Sequence, residues 1–194
     1  MNKANRPTTR DRAVALAIQF RGQGTYRLGA GMGDHPHAES PLERGACDCS
    51  NFVNWLLGNV LSGALSGAVY ANTDGVCRDA YGVRSDGAKE SPRQQTFTPV
   101  PPGEVPLPGD LVVVPGVFDT VGGKPFRTRP GHIGMIVQVL PGFRRDMDFE
   151  ETGHRFLRVV HCAGNRGVPP AIRETDAAPW RARGYLVRYK GFTA

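Results

Sequence analysis

The hydrophobic period of this chain changes once, and that change limits the possible folds more than any other feature. In the first half, apolar residues recur at helical spacing: Phe52, Val53, Leu56, Leu57, Val60 and Leu61 repeat at three and four residues, with Trp55 alongside. Residues 85–108 are polar and Pro-rich. Beyond them the apolar runs are β-rich: DLVVV (110–114), HIGMIVQVL (132–140), FLRVVHC (156–162) and GYLVRYK (184–190), separated by turn signals. Helices first and strands afterwards predict an α+β fold, with N-terminal helices packed on a mostly antiparallel sheet. A length of 194 residues suits one domain over residues 1–194. Two stretches, about 69–102 and 141–155, read as insertions, the second as an extended hairpin tip.

Local signals add detail. Thr8 or Thr9 can cap a helix running to about Arg21, with Val14, Ala17, Ile18 and Arg21 on one stripe. The glycine-rich stretch GQGTYRLGAGMGDHPH follows no strand and lacks the spacing of a phosphate loop, so it reads as a loop. Asp48 is placed to cap the helix that contains Phe52, which puts Cys49 in its first turn. Residues 71–83 read as a short helix with turns.

Charge and cysteine usage narrow the partners. The net charge of +6 is uneven: residues 154–194 hold eight Lys/Arg against two acids. A basic segment could favour polyanions, an acidic wall polymer among them, although the plainer and preferred reading is a solvated surface. Basic and aromatic residues show no regular interleaving, so no nucleic-acid partner is expected. No apolar run is long enough to span a membrane, and no membrane association is expected. The first twenty residues lack the layout of a signal peptide. The protein is therefore expected to be cytoplasmic as made, and any export would use a phage pore or a dedicated secretion system. Four cysteines (47, 49, 77 and 162) without a signal peptide argue for reduced thiols. Their spacing is not that of a zinc site, although a zinc protein using Cys47, Cys49 and histidines stays open.

A cysteine in the first turn of a helix feels the positive end of the helix dipole, which favours the reactive thiolate. A nucleophile of this kind needs a base. Of five histidines, His132 begins a candidate strand and His161 ends the next. Adjacent antiparallel strands would place them side by side, with His161 orienting His132 for Cys49. The rival reading is bland: Cys49 as a small buried hydrophobe and the histidines as hydrogen-bonded structural residues.

The stretch CDCSNFVNWLLG resembles the Asp-Cys-Ser-Gly-Phe-Val motif of the NlpC/P60 family of papain-like cysteine peptidases. LPGDLVVVP resembles that family's Pro-Gly-Asp-Leu-Val strand, GHIGMIV its Gly-His-Val-Gly-Ile-Tyr motif, and VVHCAGN the following strand with the third polar residue. Upstream, TYRLGAG is similar to a Tyr-x-x-Gly-Gly segment. The matches run in family order from about Tyr26 to Asn165. The chain departs from the pattern at Asn51, where the family has glycine, and in the 29-residue separation of His132 and His161.

The resemblance implies a papain-like fold, Cys49 as nucleophile, His132 as general base and His161 as the orienting residue, with Asn165 as a rival for that last role. It places Tyr26, Asp48 and Ser50 around the substrate. The implied reaction is cleavage of an amide in peptidoglycan stem peptides, as endopeptidase or as CHAP-type amidase, without metal or cofactor. The expected partners are peptidoglycan or muropeptide substrate and, for an exported enzyme, an immunity or export partner; a monomer is expected. The alternatives are a papain-like acyltransferase, protease or deamidase with a non-wall substrate, or a non-catalytic wall-binding module.

Overall fold

The computed structural model of the protein describes residues 7–30, 40, 45–60, 72–84, 86, 88–121, 124–164 and 169–192. Helix α1 spans Thr9–Gln19. Thr8 caps it through a capping box, accepting from the Asp11 N–H at 3.1 Å while the Asp11 carboxylate accepts from the Thr8 N–H at 2.9 Å. Helix α2 spans Cys49–Val60 and α3 Thr73–Tyr81. Asn72 caps α3, and Gly82, in the left-handed region at φ +67°, ends it. A Cβ at Gly82 would lie 1.8 Å from the Glu90 carbonyl oxygen, so no other residue fits there without movement.

Eight strands follow among the described residues. They are β1 (Phe97–Pro99), β2 (Leu111–Val114), β3 (Val117–Val121), β4 (Lys124–Arg129), β5 (His132–Val139), β6 (Leu157–Cys162), β7 (Ile172–Asp176) and β8 (Tyr185–Tyr189). Six form one sheet in the order β1-β8-β2-β5-β6-β7, each pair antiparallel, and β3 and β4 form a separate hairpin. The α+β expectation therefore holds, as does the antiparallel sheet.

The two faces of the sheet have different covers. Leu111, Val113, Ile133, Met135, Val160 and Val187 point to one face, where they pack with residues of all three helices, Phe52, Leu56, Leu57 and Val76 among them. Full burial of side chains like Leu56 and Leu57 is worth about 1.5–3 kcal/mol each. On the reverse face Val112, Ile136 and Val159 pack with Ala177 and Trp180 of the segment after β7.

The Pro-Gly-Asp motif has a structural role. Asp110 is wholly buried at the start of β2. Its carboxylate accepts from Arg10 of α1 at 3.0 Å, from both sides of the Arg188 guanidinium of β8 at 3.1 and 2.9 Å, and from the Leu107 N–H at 2.8 Å. One side chain thus ties the first helix to two neighbouring strands.

Several expectations need correction. On α1 the expected stripe is borne out at Ala17, which is buried, and at Val14, which packs partly buried against the core, but Ile18 and Arg21 are exposed and Ala13 and Phe20 complete the buried side instead. Small alanines let α1 approach α2 closely, and Phe20 then meets Trp55 edge-on at a centroid distance of 4.8 Å. Residues 141–155 do not extend a hairpin. They form turns that lead into a short 3-10 helix, Gly153–Phe156, and send Phe143 and Phe149 against the reverse-face core. The stretch 69–102, read as an insertion, contains α3 and the edge strand β1. No helix among the described residues is long and apolar enough to cross a membrane.

Candidate active site

Asp48 builds the entry to α2. One carboxylate oxygen accepts from the Asn51 N–H at 2.8 Å and the Ser50 hydroxyl at 2.9 Å, and the other accepts from the Gly29 N–H at 3.1 Å. This is an N-cap that also fastens the preceding loop, and it fixes Cys49 as the first helical residue. Upstream, Cys47 is tied to the Tyr26 segment by two backbone bonds of 3.0 Å, Cys47 N–H to Thr25 and Arg27 N–H to Cys47. Cys49 lies at the edge of a cleft of about 390 Å³ whose walls include Asp48, Ser50, Thr73, Arg127 and Gly131.

The histidines come from the centre of the sheet. Met135 of β5 faces Val160 of β6, and continuing that register sets Gly134 opposite His161 with His132 on the diagonal. The rings meet, His132 Nε2 to His161 Nδ1, at 2.8 Å. Gly134 makes room for this: a Cβ there would lie 3.0 Å from the Cβ of His161 and 3.1 Å from the Trp180 ring. Trp180 covers the pair, stacked on His132 at 4.9 Å and edge-on to His161 at 4.9 Å.

The hydrogen bonds beyond His161 set the tautomers. The Thr175 hydroxyl donates to the Asp176 carbonyl at 2.7 Å, so toward His161 Nε2, 3.2 Å away, it can only accept. His161 then carries its proton on Nε2 and accepts at Nδ1 from His132 Nε2–H. His132 is left with its Nδ1 lone pair free of a proton, the state a general base requires.

The thiol approaches His132 through the backbone on either side of it. Sγ of Cys49 lies 4.0 Å from the Gly131 carbonyl oxygen, and the Ile133 N–H points at the sulfur. Sγ and the His132 ring are not hydrogen-bonded in this state; Ile133 and Met135 face the helices, and His132 faces Trp180. Burial pushes the Cys49 thiol up to about 11, the Asp48 carboxylate adds to the rise, and nearby N–H groups offset part of it. The sequence expectation of a dipole-favoured thiolate is thus outweighed by burial. Burial also lowers His132 to about 4, and burial together with the charges of His132 and Arg173 lowers His161 to about 3. At neutral pH the resting site holds a thiol and two neutral imidazoles.

That depression has a consequence for stability. The unfolded chain takes up protons on these histidines near pH 6.5, whereas the folded chain refuses them until about pH 4. Stability is therefore full above pH 6.5 and falls as the pH drops toward 4, by on the order of 3 kcal/mol through His132 alone. Urea midpoints between pH 7 and 4.5 should show this decline, and a double His132→Asn, His161→Asn variant should flatten it. An equal decline in that variant would assign the effect to other groups.

Tyr26 is half-buried close to this site; burial and then the nearby Cys49 raise its hydroxyl to about 12. Asp48 and Ser50 are brought together with Cys49, and Tyr26 adjoins them. Asn165 lies outside the described residues, as do His35 and His37. Sequence reasoning missed Thr175 and Trp180. IRETD has no apolar alternation to mark it as a strand, and Trp180 reaches the histidines only through the path of the chain after β7. Among the described residues no three metal-ligating side chains converge. No family model matches this chain, and comparison with curated proteins and with solved structures returned no match.

Proposed function

We propose that this protein is a cysteine hydrolase of the papain-like, NlpC/P60 type that cleaves an amide bond in peptidoglycan stem peptides. The observation that carries the chemistry is the hydrogen-bonded chain Thr175–His161–His132, with the Cys49 sulfur 4.0 Å from the carbonyl oxygen of the residue before His132. A purely structural histidine pair has no need of a helix-start thiol on its doorstep. The substrate class rests on the resemblance of the five ordered motifs.

In the reaction, His132 Nδ1 accepts the Cys49 proton as Sγ attacks the carbonyl carbon, a contact that forms when substrate enters the cleft. The carbonyl π electrons move to oxygen, and backbone N–H groups at the start of α2 stabilise the oxyanion. His132 returns the proton to the leaving amine as the C–N bond breaks, which leaves a thioester. Water, deprotonated by His132, then releases the acid and restores the thiol. His161 stabilises the transient imidazolium by accepting its Nε2–H, and Thr175 holds His161 in the tautomer that can do so.

Thr175→Val should therefore lower kcat about 10-fold, one hydrogen bond's worth, with little change in KM. Thr175→Ser, which keeps the hydroxyl, should restore it. A Val variant as active as the parent would remove Thr175 from the site. The reading as a whole is tested by mass analysis of purified muropeptides incubated with the protein: loss of intact stem peptides and appearance of paired fragments identify the bond. Intact muropeptides together with cleavage of a protein or acyl-donor substrate would keep the cysteine chemistry and overturn the substrate class.

A further inference from the structure

Two cysteines that the proposed reaction does not use flank it in sequence and in space. Cys47 lies two residues before Cys49, and Cys162 directly follows His161. Both are wholly buried, both are free thiols, and their sulfurs are 2.8 Å apart. A disulfide bond is about 2.05 Å long, so closure needs a shift of less than about 1 Å. The two backbones are anchored independently. Cys47 is held to Thr25 and Arg27 by its bridge, and Cys162 sits in the ladder opposite Ile172. The approach is thus set by the fold around it and not by a loose loop. The Cys162 thiol also reaches the Cys47 carbonyl oxygen at 3.5 Å, while Cys49 Sγ is directed to Gly131.

We propose that Cys47 and Cys162 form a disulfide that staples the approach to the nucleophile onto the strand of the paired histidines, leaving Cys49 as the free thiol of the site. With a low-molecular-weight disulfide as oxidant, the thiolate of one cysteine attacks a sulfur of the oxidant and expels one thiolate. The thiolate of the second cysteine then attacks the protein sulfur of the mixed disulfide and expels the other. Two protein S–H groups and one oxidant disulfide become one protein disulfide and two small thiols, and the protons pass to the departing thiolates. The hydrogen bond with the Cys47 sulfur, and then burial, disfavour the Cys162 thiolate in the folded state. The bond accordingly forms while this region is still open, and it forms slowly in the native protein. The crosslink spans 115 residues of chain and constrains the unfolded state strongly. The oxidised protein should melt about 10 °C above the reduced one.

The test uses the full chain, refolded from denaturant in a reduced/oxidised glutathione buffer and alkylated under denaturing conditions. The expected product is lighter by two hydrogens before alkylation, takes up alkylating agent at Cys49 and Cys77 only, and yields a crosslinked peptide pair containing Cys47 and Cys162. Its higher melting temperature should collapse to the reduced value on adding dithiothreitol, and the difference should vanish in Cys47→Ser and in Cys162→Ser. Four alkylated thiols after oxidative refolding, or a crosslink that includes Cys49, would overturn the proposal. The outcome does not depend on the hydrolase reading, because Cys49→Ala should form the same bond whether or not the parent cleaves anything.

Discussion

Cys49→Ala is expected to abolish muropeptide cleavage, with turnover down by at least about 10⁴-fold, while the far-UV spectrum and melting temperature stay close to those of the parent. The size of the effect follows from covalent chemistry. Without sulfur there is no acyl-enzyme, and the remaining groups contribute only binding and oxyanion stabilisation. The fold should tolerate the change because the cap that starts α2 comes from Asp48, and the side chain removed is small. Cys47→Ala under reducing conditions should keep most of the activity, since its sulfur faces Cys162 and not the cleft. Retained cleavage in Cys49→Ala would sink the mechanism, whereas a dead Cys47→Ala that is still folded would move the chemistry to the buried thiol pair.

The largest stability effect should come from Asp110. Asp110→Ala leaves the guanidinium groups of Arg10 and Arg188 without their shared carboxylate and strips the Leu107 N–H of its acceptor. Removing one partner of a buried ion pair typically costs about 3–5 kcal/mol, which in a domain of this size lowers the melting temperature by about 10 °C. Asp110→Asn should cost less, because it keeps the shape and one acceptor oxygen. Urea unfolding with fitted midpoints and slopes is the appropriate measurement. A loss below about 1 kcal/mol for the alanine variant would mean that solvent or neighbouring acids take over the two arginines. Glu104, already 2.8 Å from Arg188, is the nearest candidate.

The parts of this fold that announce themselves in sequence are those whose chemistry is local. Asp48 reads as a cap because caps are made by short polar side chains next to the helix they start. β2, β5, β6 and β8 read as strands because all are rich in apolar or β-branched residues. β7 does not, because Arg173, Glu174 and Thr175 gain their strand conformation from pairing with β6. The phase of α1 is legible only in part, at Val14 and Ala17, for a related reason. Ala13 and Ala17 carry little hydrophobic signal, yet small side chains are what close contact with α2 demands. At the site, Cys49, His132 and His161 were legible as residues of the right type at element boundaries. Their protonation was not, since burial overrides the helix dipole and no sequence pattern reports burial depth. Thr175 and Trp180 were silent for the same reason: their roles exist only once β7 and the turn after it lie over β6.

The position of β8 bears on how the sheet under the histidines is completed. Residues 185–189 are the last of the described strands in chain order, yet they occupy the slot between β1 and β2. Without them β1 has no neighbour in the sheet, β2 has an open edge, and Asp110 lacks the arginine that contributes two of its carboxylate's four hydrogen bonds. The ladder from β2 through β7 can pair earlier, but the layer that braces it closes only with the final strand. Such a sheet is completed through contacts between residues far apart in sequence, which slows folding. The sheet that carries His132 and His161 is therefore complete only once β8, the last of the described strands in chain order, lies between β1 and β2.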